Sequence, residues 1–554
     1  MYELSRRRLL LLGAGTAASI MLAACGDDDA DETQGTDAAS RGTQPDPDPT
    51  SAPPADTAAT TAPPSTSSET PAADAYDLEA PVRFTWQAPP TTFDPHRSQT
   101  AYDLVTLQNV YDRLFTLTVD GLPAPGVVGE WEFSEDGLQL DLTIREGLVF
   151  HDGTALDAEA VRANLERAKT VEGSTVAADL AIIDTVEVLA PTRLRLHLSA
   201  QAAELPAVLS DRPGMLVSPA AFDKPDLDVA PVGSGMYRVT RYVEGSEITF
   251  ERFDDYWDPD AVRASGLDWS ISTDPLTRFN ALRSGQTDGT SIDPSRLREA
   301  EDAGLNVVKR AGVIFFHLQL NRSREPFAKV EVRRALNHAI DRQSIVDSVL
   351  FGQGEVSSQI FPEWHFAFDP ETGTNAFEYD PELARQLLAD AGYPDGFEFE
   401  MLYQTTPQYE LIASAIQAQL AEVGITANAR GIPVVEAAEI FYARQEGDAL
   451  AAPASGRADP TQTLRQLFSD QGFSNPGRHT TPEMLAAIEA TSVVQSPEDR
   501  ARALRAASAQ ITADALDVVL FFPTNLYAFS PEVLGPDTWG FGWPDFRYVG
   551  MRQS

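Results

Sequence analysis

The sequence predicts an α/β protein, and three observations carry the prediction. Some 475 residues follow a leader and a low-complexity stretch, enough for two or three domains. Up to residue 312, short runs of alternating apolar and polar residues come in pairs around turn residues, as hairpins do. From residue 313 strand-like and helix-like segments alternate, the pattern of an α/β layer. No fixed-period repeat interrupts either part, which argues against a solenoid.

The chain opens on a basic head, Ser5 to Arg8, and an apolar run of about 16 residues that ends in Leu22-Ala23-Ala24-Cys25. That run is too short to span a bilayer comfortably, and the whole of residues 1–24 reads as a secretory signal. Arg6 and Arg7 behind Ser5 also resemble a twin-arginine signal, so the twin-arginine and general secretory routes both stay open. Leu22-Ala23-Ala24-Cys25 resembles a bacterial lipobox, which implies that Cys25 is lipidated and begins the mature chain. Cys25 is the only cysteine, so no internal disulfide can form. Residues 25–80 are mostly Ala, Thr, Pro, Ser, Asp and Gly and cannot bury enough apolar surface to offset chain entropy. A flexible coil of that length reaches about 40 Å root-mean-square, and proline and repelling acids extend it. The stretch is therefore expected to be a disordered acidic tether.

In the body, VRFTWQ (82–87) alternates like a strand, and residues 99–115 place apolar side chains at helical spacing. LQLDLTIREGLVF (138–150) alternates again and runs into the turn Asp152-Gly153. Asp157 is then placed to cap a helix over AEAVRANLERA. VEVLAPTRLRLHL (186–198) reads as two strands, and YRVTRYVEGSEITFERF (237–253) as a hairpin turning at Glu244-Gly245-Ser246. TRFNALRSG (277–285) reads as a helix closing on Gly285. Then come the strand GVIFFHLQLN, the helical KVEVRRALNHAIDRQSIVDSVL, the helix DPELARQLLADAG, the strand FEFEMLYQ, the helix YELIASAIQAQLAEVG and the strand ITANAR. Two long helices follow near 481–515, and DVVLFFPTNLYAF (517–529) reads as late strands.

The formal charge is −41, of which −31 falls on residues 80–554. Such acidity argues against nucleic acid or an anionic lipid surface as partner. The chain has no G-x-S-x-G, H-E-x-x-H or G-x-x-x-x-G-K-[ST] motif and no paired C-x-x-C. The acidic FDDYWDPD (253–260) lacks the spacing of a calcium loop. No catalytic set, metal site or cofactor is therefore expected. An extracytoplasmic hydrolase with groups far apart in sequence stays as a remote alternative.

DGLQLDLTIREGLVFHDGTALDAEAVRANLERA (136–168) resembles the signature of the family 5 extracellular solute-binding proteins, the receptors of oligopeptide, dipeptide and nickel ABC importers. Around it stand, in family order, NVYDRLF (109–115), VGSGMYRV…ERFDDYW (232–257), ALRSGQTD (281–288), PFAKVEVRRALNHAIDRQSIV (326–346) and YDPELARQLLADAGYPDGF (379–397). The resemblance implies a two-lobed periplasmic-binding-protein-like α/β fold of type II, in its large cluster C form, hinged between the lobes. It places the first lobe at 81–312 with an extra subdomain near 120–220, the second at 313–520, and a return to the first at 521–554. It implies a membrane-anchored extracytoplasmic receptor, a monomer, that delivers a peptide or related polar organic solute to an ABC permease.

In peptide-binding relatives an acidic residue in a loop of the second lobe holds the ligand's amino terminus. Gly456-Arg457-Ala458-Asp459-Pro460 occupies that place. Asp459 is then the candidate amine partner, or else the N-cap of TQTLRQLF. Arg457 either pairs with Asp459 or faces a ligand carboxylate. Strand ends facing a cleft add Gln87 and Phe93, then Trp364, then Tyr403, Gln404 and Thr405, an aromatic and polar set suited to an organic ligand. A metal-chelate receptor of the nickel type is the alternative on this fold. Its candidate ligands His96, His317, His365 and His479 are not clustered in sequence.

Overall fold

The computed structural model describes residues 72–98, 100–538 and 541–554. The signal, Cys25 and nearly all of the tether lie outside the described residues.

A twelve-stranded mixed sheet is the backbone of the molecule. At one end Tyr237–Val243 and Glu247–Arg252 form the hairpin read in the sequence, with Gly245 at its turn in the left-handed region. Gly266–Ile271, Val82–Trp86 and Gly289–Ser291 continue the sheet inward. At the other end lie Thr426–Ile432, Glu398–Gln404, Ala449–Ser455 and Ile314–Leu320. The strand Val518–Phe529 joins the two halves. Its first part pairs with Ile314–Leu320 and Gly354–Val356, and its second with Asn306–Ala311 and Gly289–Ser291. The change of partner falls between Pro523 and Thr524.

Each half has its own core. Phe84, Trp86, Trp269, Phe529 and Phe546 pack in the first, and Phe316, Leu336, Ile345, Met401 and Ile416 in the second. Fully burying side chains of this size contributes about 1.5–3 kcal/mol each, so each half has an apolar core of its own, and the shared strand Val518–Phe529 ties the two together. A third core belongs to a four-stranded antiparallel sheet, ordered Val128–Phe133, Gln139–Ile144, Arg193–Leu198, Ile183–Ala190, covered by the helix Ala158–Thr170. Asp157 caps that helix by accepting from the Ala160 N–H. The neighbouring Gly233 and Gly235 press on the backbone of Val110. A Cβ on Gly233 would come 2.0 Å from the Val110 carbonyl oxygen.

Three boundaries differ from the sequence reading. The strand begun at Gln139 stops at Ile144, because Gly147 turns the chain with φ 76°. The helix over 99–115 covers only Ala101–Val110, and the chain is extended again from Tyr111. The helical stretch 329–350 is two helices, Val330–Ala339 and Arg342–Val349. Asp341 adopts extended backbone and caps the second by accepting from the Ser344 N–H.

Candidate functional site

Two cavities lie where the halves face each other. The first, about 660 Å³, sits beside the strand Val518–Phe529. Gln87, Arg278 and Ser291 line it from the first lobe, Gln353 and Tyr409 from the second, and Asn525 and Tyr527 from the crossing strand. Gln87 reaches it because the strand Val82–Trp86 ends there, and Tyr409 because Thr406 starts the helix Pro407–Glu422 at the cavity edge. Burial pushes the Tyr409 phenol up to about 12 and the Tyr527 phenol further. Both are neutral donors at any physiological pH. Arg278 is buried; its Nη1 donates to the carbonyls of Ser272 and Thr273 and its Nε to that of Ser291. Apart from Arg278 and Asp293, the polar groups of this chamber are neutral hydrogen-bonding groups.

The second cavity, about 650 Å³, lies between the small subdomain and the second lobe. Asp179, Glu204, Leu205 and Val208 line one wall, and Arg457, Gln462, Arg465 and Phe473 the other. Contacts cross it. The Gln462 amide donates to Asp179 Oδ1 at 3.0 Å, and Arg465 pairs with Glu204. The Ala203 N–H donates to the Ser492 carbonyl, and the Val494 N–H to the Gln201 side chain. Burial raises the carboxyls of both Asp179 and Glu204 against the lowering effect of Arg457 and Arg465 respectively.

The residues singled out in the sequence scatter. Gln87 lines the first cavity and Arg457 the second. Asp459 takes the second of the two roles read for it in the sequence, the N-cap. It is fully buried, caps the helix Pro460–Phe468 through the Thr461 N–H, and holds Arg500 Nη2 at 2.7 and 2.8 Å on its two oxygens. A ligand amine would have to evict Arg500. Arg457 does not pair with Asp459; its Nε donates to Gln466 Oε1 at 3.1 Å and its backbone N–H to Thr463. Phe93 is fully buried, packed edge-on against Tyr242. Trp364 donates from its indole to the Ala311 carbonyl, with the Arg310 guanidinium 4.8 Å above its ring. Tyr403 and Gln404 end the strand Glu398–Gln404 against Gly431 and Ile432, and Thr405 bonds the Ile432 carbonyl. None of these last four lines either cavity.

Sequence reasoning missed Asp179, Glu204, Arg465, Arg278 and Tyr409. The first three meet partners hundreds of positions away, which no local pattern records. Among the described residues no three of His, Cys, Asp and Glu are placed to hold a metal ion. His96 is occupied on both ring nitrogens, accepting from Arg167 and donating to the Met215 carbonyl, and His317 bonds Asp517. No helix among the described residues is long and apolar enough to cross a membrane.

The model of the bacterial extracellular solute-binding proteins, family 5 Middle, matches residues 123–475. The glutathione-binding protein GsiB of Salmonella paratyphi A is 26% identical over 480 residues, spanning 82% of this chain and 92% of that protein. Among solved structures, the periplasmic binding protein DppA of Helicobacter pylori, in complex with the peptide STSA, superposes with a TM-score of 0.73. It is 23% identical and covers 86% of this chain and 99% of its own. NikA of Brucella suis, in complex with Fe(III)-EDTA, superposes with a TM-score of 0.76. It is 22% identical and covers 86% and 100%. At these identities the two structures speak for the fold.

Proposed function

The chain belongs to the bacterial extracellular solute-binding proteins of family 5, and from that premise we propose that it is the receptor of an ABC importer for small peptides or a related polar organic solute. The observation that supports this most is the pair of cavities between the lobes, each lined by both. A solute that touches both lobes favours the closed state, and a permease then receives it when the lobes part. A receptor for glutathione and one for a short peptide stand among its relatives. Among the described residues no His, Cys, Asp and Glu set is placed to hold a metal ion, and the peptide-like solute is the reading carried forward.

In this reading Gln87 and Arg457 touch the solute, and Tyr403, Gln404, Thr405 and Trp364 support the walls. Asp459 and Phe93 hold the scaffold. The receptor is a monomer and performs no turnover. Cys25 carries the lipid, and the acidic tether lets the body reach a permease from the outer face of the membrane.

Mass spectrometry of solute released from the unheated, purified protein tests the receptor reading, and a substrate panel tests the absence of turnover. The expected result is a co-purifying polar organic molecule that rebinds. A protein that consumed the molecule catalytically would overturn the reading. Separately, Cys25→Ser is expected to leave the body folded and to release it from the membrane. Retention after a carbonate wash would overturn the anchor.

A further inference from the structure

We propose that the cavity between the small subdomain and the second lobe is a clamp for an α-amino-acid head group, with Arg457 taking the carboxylate and Asp179 the ammonium. This rests on the receptor reading and names the chemistry of its ligand.

The assignment comes from the partners these two groups lack. The Arg457 Nε is held by Gln466, which fixes the guanidinium plane. Among the described residues its two terminal nitrogens donate to no acceptor, and no carboxylate lies within ion-pair distance of it. Asp179 has one oxygen on the Gln462 amide, and its other oxygen has no partner among the described residues. The remaining charges around the cavity are matched. Arg465 meets Glu204, and Arg212 lies 3.7 Å from Asp211. Arg457 and Asp179 are left, and no ion pair joins them. They line the cavity together and also share a small gap of about 20 Å³ beside it. Arg457 is the strongest charge acting on Asp179, yet burial still raises the Asp179 carboxyl. Each group gains most from a counter-charge placed between them.

A guanidinium and a carboxylate that share a gap of about 20 Å³ suit an ammonium and a carboxylate on the same carbon. Next to the charges, Ile182, Leu205, Val208 and Phe473 form an apolar wall, and Phe473 is 51% exposed in a cavity that a side chain would fill. The two charges come from different lobes, Asp179 from the subdomain and Arg457 from the loop after the strand Ala449–Ser455. A ligand with both charges therefore ties the lobes together, whereas a ligand with one charge engages one lobe. The second lobe here offers a cation, so ligand polarity is the reverse of an amine held by an acid in that loop.

The test uses the mature chain and a panel of probes: the free L-amino acids, glutathione, and for each an N-acetylated and an amidated counterpart at the α-amino-acid head. Calorimetry and melting curves read binding. At least one free head group is expected to bind, and blocking either its amine or its carboxylate is expected to weaken binding roughly 30-fold or more. Arg457→Gln and Asp179→Asn are each expected to give a loss of the same size, with ligand-free melting unchanged. Affinity is also expected to fall on acidification, as Asp179 takes up a proton. Equal binding of blocked and free probes would overturn the proposal, as would wild-type affinity in Arg457→Gln. A co-purifying ligand without such a head would overturn it while leaving the receptor reading intact. A protein that binds nothing and co-purifies with nothing would sink the receptor reading, and this proposal with it.

Discussion

The two cavities differ in what they ask of a ligand. The one beside the crossing strand presents mostly neutral groups, Gln87, Asn525, Tyr409 and Tyr527 beside Arg278 and Asp293, and neutral groups can trade partners with water at little cost. The one beside the subdomain presents Asp179 and Arg457, whose charges are half-desolvated before anything binds. A neutral wall tolerates variety, because a missing hydrogen bond is replaced by a water. A charged wall discriminates, because an unmatched ligand leaves a buried charge unpaired. One cleft can therefore be permissive on one side and strict on the other.

Acid is the broadest way to separate ligand chemistry from scaffold. Burial holds His96, His151 and His365 down to about 4, against about 6.5 in an unfolded chain. Their folded pKa values are depressed, so their contribution is fully present above pH 6.5 and is lost as pH falls towards 4. Each contributes up to about 1.4 kcal/mol per pH unit over that window, several kcal/mol in all. Melting at a series of pH values should show this loss without ligand. An affinity that fell in strict step with stability would blur the contrast, because the charged cavity would then titrate only through unfolding.

The next largest effect is expected at Asp459, two positions from Arg457. Asp459→Ala leaves Arg500 buried without its partner and should cost about 3–5 kcal/mol of stability, read by chemical denaturation. Lost affinity at unchanged stability would instead put Asp459 among the ligand contacts. Glu204→Gln comes third. It weakens a pair that spans the subdomain and the second lobe, worth about 1.5–3 kcal/mol. Small-angle scattering should then find at least tenfold more of the open form. An unchanged distribution would mean that closure is held on the other side of the cleft. The smallest effects belong to the neutral cavity. Tyr409→Phe or Gln87→Ala should change affinity by about 2- to 10-fold, measured calorimetrically. A loss as large as that of Arg457→Gln would end the distinction between the two walls.

Local chemistry was legible in the sequence wherever it is local in the fold. Asp157 announces its helix, Gly245 its turn, and the two helices near 481–515 appear as Pro482–Ala490 and Pro497–Ala513. The break at Asp341 was hidden, since apolar residues keep helical spacing through it and only the cap reveals it. The resemblance of six ordered motifs carried the two-lobed fold, because those motifs are caps, turns and close backbone contacts that the scaffold needs. The site was mostly illegible. Asp459 reads equally well as a ligand acid or a cap until Arg500, 41 positions on, is brought onto it. Asp179 stands in an unremarkable TVAADLA and gains meaning only when the loop at Arg457 arrives from the other lobe.

The strand Val518–Phe529 also dictates when the molecule can be finished. Synthesis delivers Gly289–Ser291 and Ile314–Leu320 long before the segment that pairs with both. Tyr76, near the front of the body, waits for Arg552. Until then a nascent chain carries open sheet edges in both halves, the kind of surface that aggregates with its neighbours. A chain that terminates before Val518 has no other segment with which to cover them. Synthesis through Phe529 is thus a precondition for closing the sheet in both halves at once, and a ribosome that stalls earlier releases two unfinished sheet edges.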